Sequence, residues 1–172
     1  GRKEIRTEQT DEVPLLTLEL TSNGLKKEAS FMFSKNASEA KDNFDAFDLL
    51  PLTSNRLEIF SLLNDGTPLV INNLPLEFTN RYLIPVHING YKEGFSITGD
   101  FKIRGINFDN IPDEWMISLI DNETKQEIDL INQEEYTFFH STKNKAKVAN
   151  PNTKQKVIRK KTGDSFLFFF FF

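Results

Sequence analysis

The feature that most constrains this chain is its punctuation. Short runs of alternating apolar and polar residues recur along it, and turn-forming pairs separate them roughly every 8–12 residues. Leu16, Leu18 and Leu20 alternate with Thr17 and Glu19, the period of two that a half-buried strand requires. Ser22-Asn23-Gly24 ends that run, and Phe31 and Phe33 alternate next. Residues 57–62 read as a strand, and residues 69–71 as its returning partner. Between them lies Asn64-Asp65-Gly66-Thr67, a tight turn, because Asp-Gly accepts the positive φ of a hairpin. Residues 82–88 form a further strand, Asn89-Gly90 a second turn, and residues 95–103 another alternating strand. Strands at 115–120, 127–131, 136–139 and 165–170 complete the set, with a turn at 121–124. No long segment has helical period. The pattern predicts an all-β fold, an antiparallel β-sandwich of jelly-roll-like form with about nine or ten short strands.

A chain of 172 residues suits one domain. Residues 1–12 are charged and aperiodic and read as a linker or tail; residues 13–170 read as the single sandwich domain. The opening Gly1-Arg2-Lys3 suggests a piece of a longer protein. Residues 36–50 read as a loop with at most one or two turns of helix, Ser38 being a candidate N-cap. Seventeen Phe against three Tyr and one Trp place most of the aromatic surface in the core, since Phe carries no polar handle. The run from Phe168 to Phe172 cannot alternate. A strand uses its first members, and residues 171–172 end an exposed, aggregation-prone tail, read as a truncated or frame-shifted end.

Charge is unevenly placed. Residues 1–140 hold 13 basic and 24 acidic side chains, a net of −11, whereas residues 141–172 hold eight basic and one acidic, a net of +7. Residues 141–163 therefore read as a long basic loop set beside an acidic body. That loop lacks interleaved aromatics, which argues against nucleic acid as partner. No apolar run is long enough to span a membrane. With no Cys there is no disulfide, thiolate nucleophile or cysteine metal site.

Candidate chemistry is sparse. His87 and His140 are the only histidines and stand in different strand contexts. Gly-rich phosphate loops, G-x-S-x-G and H-E-x-x-H are absent. The chain is therefore read as a non-enzyme without a cofactor. Asp42, Asp45 and Asp48 recur every three residues beside Asn43, and clustered loop carboxylates are the one candidate metal set, for calcium. The spacing is not that of an EF-hand, and a solvated turn with capping Asp residues is the plainer reading. Asp109, Asp113 and Glu114 form a second acidic loop, and Asn36-Ala37-Ser38 and Asn122-Glu123-Thr124 match the glycosylation triplet.

Several segments carry a resemblance as an ordered set. Phe44-Asp45-Ala46-Phe47-Asp48-Leu49 is similar to a Tyr-Asp-Ala-x-Lys-Leu element, and Leu57-Glu58-Ile59-Phe60-Ser61 follows. Asp65-Gly66-Thr67-Pro68-Leu69-Val70-Ile71-Asn72-Asn73-Leu74-Pro75 comes next, then Ile84-Pro85-Val86 and Gly94-Phe95-Ser96-Ile97. Ile117-Ser118-Leu119-Ile120-Asp121-Asn122-Glu123-Thr124, Tyr136-Thr137-Phe138 and Asp164-Ser165-Phe166-Leu167-Phe168 end the series. This order resembles the β-rich module that precedes the C-terminal sorting domain in cargo proteins of the type IX secretion system of Bacteroidota-type bacteria. Asp48 stands where that pattern has Lys, Ser165 where it has Arg, and the sequence ends where the resemblance expects the sorting domain to begin. The resemblance implies a non-catalytic structural or adhesion module of a secreted or cell-surface protein, located extracellularly or on the outer-membrane surface. Its implied partners are other domains of the same protein and a cell-surface glycan or protein. A carbohydrate- or calcium-dependent binding module is the alternative.

Overall fold

The structure, a computed structural model, describes residues 12–49, 53–77, 81–132, 135–141 and 164–171. The basic segment from residue 142 to 163, the tail before residue 12 and Phe172 lie outside the described residues. Among the described residues every regular element is a strand: β1 (Leu15–Ser22), β2 (Leu25–Ser34), β3 (Ala46–Phe47), β4 (Arg56–Leu62), β5 (Pro68–Pro75) and β6 (Arg81–Lys92). They are followed by β7 (Phe95–Ser96), β8 (Gly99–Asp109), β9 (Met116–Asp121), β10 (Glu127–Asp129), β11 (Tyr136–His140) and β12 (Asp164–Phe171). Ten lie on one hydrogen-bonded path, β10-β9-β12-β6-β4-β5-β2-β1-β8-β11; β3 and β7 are two-residue additions on β5 and β6. The chain is thus all-β, with a mostly antiparallel, curled sheet. No described helix is long and apolar enough to cross a membrane.

The sheet turns over at β5. This strand pairs with β4 only at Leu69 and Pro68, then leaves it and pairs with β2 from Ile71 to Pro75. The β2–β5 pair is parallel, so the expectation of a wholly antiparallel sheet fails at this one place. The Asp65-Gly66 turn forms as expected, with Gly66 at φ 85° and Thr67 N–H donating to Asp65 Oδ1 at 2.9 Å. The turn nevertheless does not fix the partner of β5, most of whose pairing is with β2.

Three contacts close the two halves onto each other. The Phe101 ring of β8 lies against Gly90 of β6, where a Cβ would sit 2.7 Å from Phe101 Cζ. Phe33 of β2 meets Trp115, just before β9, edge to face at 5.0 Å. Tyr136 of β11 donates its hydroxyl to Asp121 Oδ2 of β9 at 2.7 Å, tying strands near opposite ends of the path. Between the halves lies one core, to which β1 gives Leu16, Leu18 and Leu20, each fully buried. Burial of a Leu side chain is worth about 1.5–3 kcal/mol, so this inner face is the main cohesion of the fold.

Three sequence expectations change here. Asn89-Gly90 is not a turn but lies within β6, near its end; its glycine makes room for Phe101, and the real turn is Glu93-Gly94, both at positive φ. The alternating run 95–103 is broken at Ile97 and Thr98 into β7 and β8. The last strand is longer than expected: β12 carries the Phe run to Phe171, paired along its length with β6 and from Phe166 onward with β9, while Phe172 lies outside the described residues. A strand flanked on both sides tolerates a continuous apolar run where an edge strand does not.

Candidate functional site

The connection from β2 to β3, residues 35–45, is the longest described one in the fold. Its Ser38 is not a helix cap; the hydroxyl donates to the Ala40 carbonyl at 2.8 Å inside an irregular strap. The strap buries little, because only Ala37, Asp42 and Asp45 in it are even half-buried. Its shape comes from carboxylates satisfying backbone donors. Asp42 Oδ1 accepts from Phe44 N–H, the local bond that makes Asp a turn former, and Asp45 Oδ2 accepts from Asp42 N–H, both at 2.8 Å.

The remaining oxygens of the same two residues reach Asn73 of β5, which is 1% exposed. Asn73 N–H donates to Asp45 Oδ1 and Asn73 Nδ2 to Asp42 Oδ2, each at 2.8 Å, while Asn73 Oδ1 accepts from the Ser34 hydroxyl at 3.1 Å. Asp42 and Asp45 therefore converge as expected, but on an amide. Asp48 does not join them: it pairs with Lys27 of β2 at 3.0 Å. Among the described residues no group of three or more His, Asp or Glu is arranged to hold a metal ion, in this loop or near Asp109, Asp113 and Glu114. Asp109 instead accepts from Asn107 Nδ2 at 2.9 Å.

Two clefts flank the strap. One, of about 490 Å³, is lined on the strap side by Asn36 and Phe44 and on the sheet side by Met32, Phe33, Asn73 and Leu76. The other, of about 350 Å³, runs past Glu39 to Leu62, Leu74, Tyr82 and Ile84. Tyr82 donates to Glu39 Oε1 at 3.3 Å. Burial, with help from the Glu39 charge, pushes the Tyr82 phenol up to about 12, so it remains a donor throughout the physiological range.

The histidines do not meet. His87 stacks on Phe60, its register partner across β4 and β6, with ring centroids 5.7 Å apart. His140 is buried with its ring 4.7 Å from that of Phe101. Each is part of an aromatic cluster.

The buried charges that sequence reasoning missed lie on strands. Glu19, 4% exposed, accepts from Lys26 Nζ at 2.8 Å and from Arg104 Nε and Nη2 at 2.9 and 2.7 Å. These hydrogen bonds, that from Lys26 first, hold its carboxyl below the usual carboxylate range. Glu58 is held by Arg56 at 2.9 Å and Asn89 at 3.2 Å, and Arg56 also lies over the Tyr91 ring at 4.1 Å. Burial pulls the Asp121 carboxyl up. The Tyr136 hydroxyl and the Glu123 and Thr124 N–H groups outweigh it and leave the carboxyl low. The signal for Glu19 was present in the sequence, as a charge in a polar slot of a strand whose apolar slots are all Leu.

No protein-family model, curated protein or solved structure matches this chain.

Proposed function

We propose that this chain is a non-catalytic structural or adhesion module of a secreted or cell-surface protein. In this reading it resembles the module beside the sorting domain of type IX secretion cargo. One observation carries it: the buried carboxylates Glu19, Glu58 and Asp121 are each engaged by donors from other parts of the sheet or its turns. Ionisable groups so arranged brace strands, and none of these three lines either cleft. The segments behind the resemblance also serve folding, as the Asp65-Gly66 turn and the Asn73 tie illustrate. The module's partners are then neighbouring domains of the same protein and a cell-surface glycan or protein, outside the cell.

A second reading, a carbohydrate- or calcium-dependent binding module, draws on the 490 Å³ cleft and its exposed Phe44, within the size of small-molecule sites. A calcium titration by thermal melting of the full chain separates the structural reading from the calcium-dependent one. A ligand that binds only the folded state raises the melting temperature. The structural reading expects one cooperative transition that neither calcium nor EDTA moves. A rise with calcium that EDTA reverses would displace it in favour of a metal site at Asp42 and Asp45.

A further inference from the structure

We propose that the outer face of β9, β12 and β6 is a self-association surface, covered in solution by the same face of a second copy of this chain. Such pairing adds a function to a spacer role and is independent of calcium. The composition of β12 points there first. A strand with one face in water alternates, whereas one covered on both faces reads as an unbroken apolar run. Phe166 to Phe171 is such a run, set between β6 and β9. On the inner side β6 and β9 give Ile84, Val86, Ile117 and Leu119 to the core. Alternation turns their intervening residues outward. Of these, Leu83 and Met116 are 46% and 57% exposed, Pro85 is exposed and Ile120 is half-buried. Register sets Leu167 between Pro85 and Ile120, and Phe169 between Leu83 and Ser118.

Charge, shape and area select a second copy as the occupant. The outer face of the opposite layer is polar: around Glu19 it carries Thr17, Ser30, Lys26 and Arg104. From Ser118 and Ile120 across to Leu83, Pro85 and His87, by contrast, there is no Asp, Glu, Lys or Arg, and acids enter at the rim, as the exposed Glu127 and Asp129 of β10. A neutral apolar patch complements its own copy, which a two-fold interface between identical surfaces requires. Its shape is that of a sheet, and the surface that fits a sheet face is another sheet packed about 10 Å away. With β4, whose Phe60 stacks on His87, the face is four strands wide and, along Met116–Asp121, six residues long. That spans about 19 by 20 Å, so two copies cover about 800 Å² before side-chain relief is added, near the ~1,000 Å² that a specific interface needs. An anionic lipid surface fits less well, because the acidic rim and the net charge of −4 oppose it.

Sedimentation equilibrium of the full chain tests the pairing. A reversible monomer–dimer equilibrium with a micromolar dissociation constant is expected, and because the copies carry like charge it should tighten as salt is raised. Leu83→Glu places two carboxylates inside the interface and should weaken association roughly tenfold or more, with the near-ultraviolet dichroism of Trp115 unchanged. Met116→Glu, at the exposed start of β9, repeats the test should the Leu83 variant not fold. Phe139, 61% exposed on β11 of the opposite layer, is the control, and Phe139→Glu should leave the dissociation constant unchanged. A wild-type chain that stays monomeric at millimolar concentration would overturn the proposal. So would a dimer that Phe139→Glu abolishes and Leu83→Glu and Met116→Glu leave intact, or a monomer that cosediments with phosphatidylcholine vesicles in place of dimerising.

Discussion

The layer of β2, β1, β8 and β11 and the strap that leaves β2 are continuous in sequence and opposite in cohesion. The layer presents Leu16, Leu18, Leu20, Phe31, Phe33, Phe101 and Ile103 to the core, none more than 1% exposed. On its other face Glu19 binds Lys26 of β2 and Arg104 of β8 across both neighbouring strands. The strap has no buried apolar side chain and depends on two carboxylates meeting one amide. Apolar burial scales with area and is indifferent to direction, whereas a net hydrogen bond contributes about 1 kcal/mol and only in good geometry. The layer is therefore redundant, whereas the strap is held by a few directional bonds, chiefly to Asn73 of β5.

The largest break in that comparison should come at Phe101. Its ring touches Gly90 across the core and packs against Phe138 and His140 at 5.9 and 4.7 Å. Phe101→Ala leaves a cavity between the halves and should cost about 3–5 kcal/mol, read as a fall in the midpoint of urea unfolding. A loss below ~1 kcal/mol would mean that the halves are not held together here.

Much of the layer was legible in the sequence, because period-2 alternation reports a face directly. β1, β9 and β11 fall where alternation and turn pairs place them. The failures share a cause: they depend on what lies across the core. Gly90 reads as a turn residue until Phe101 is seen against it. β5 reads as the hairpin partner of β4 until most of its length is found beside β2. Phe171 reads as part of a tail until its partners on both sides are known. Of the candidate metal residues, spacing did bring Asp42 and Asp45 together. It could not show that Asn73, 28 residues beyond Asp45, occupies the space between their oxygens, or that Asp48 belongs to Lys27.

A smaller effect should follow acidification. Glu19 and Asp121 both have folded carboxyls below their ordinary values of 4.5 and 3.8. A group depressed in this way stabilises the fold above its ordinary value, and that contribution is lost as pH falls through the folded one. Melting temperature should therefore be level near neutrality and decline as pH falls below about 4.5. Tyr136→Phe removes the hydroxyl that holds Asp121 down and should cost about 1–2 kcal/mol near neutrality. It should also flatten the Asp121 part of the decline, because the folded carboxyl then lies nearer its ordinary value. An unchanged acid profile in that variant would show that the tie between β11 and β9 contributes nothing.

The smallest effect sharpens the contrast most. Phe44 is a large aromatic residue in the strap, and by type alone its removal should rival that of Phe101. Its ring is 66% exposed, however, and the strap is tied at Asp42 and Asp45 on either side of it. Phe44→Ala should therefore change stability by less than about 0.5 kcal/mol, as surface substitutions do, with the unfolding midpoint in urea as the measurement. The two variants remove the same atoms from the same residue type, so a near-zero result against several kcal/mol for Phe101 isolates burial as the cause. A cost above ~1 kcal/mol would mean that the ring itself clamps the strap onto the cleft. In that event apolar contact, and not the hydrogen bonds to Asn73, would hold the strap in place.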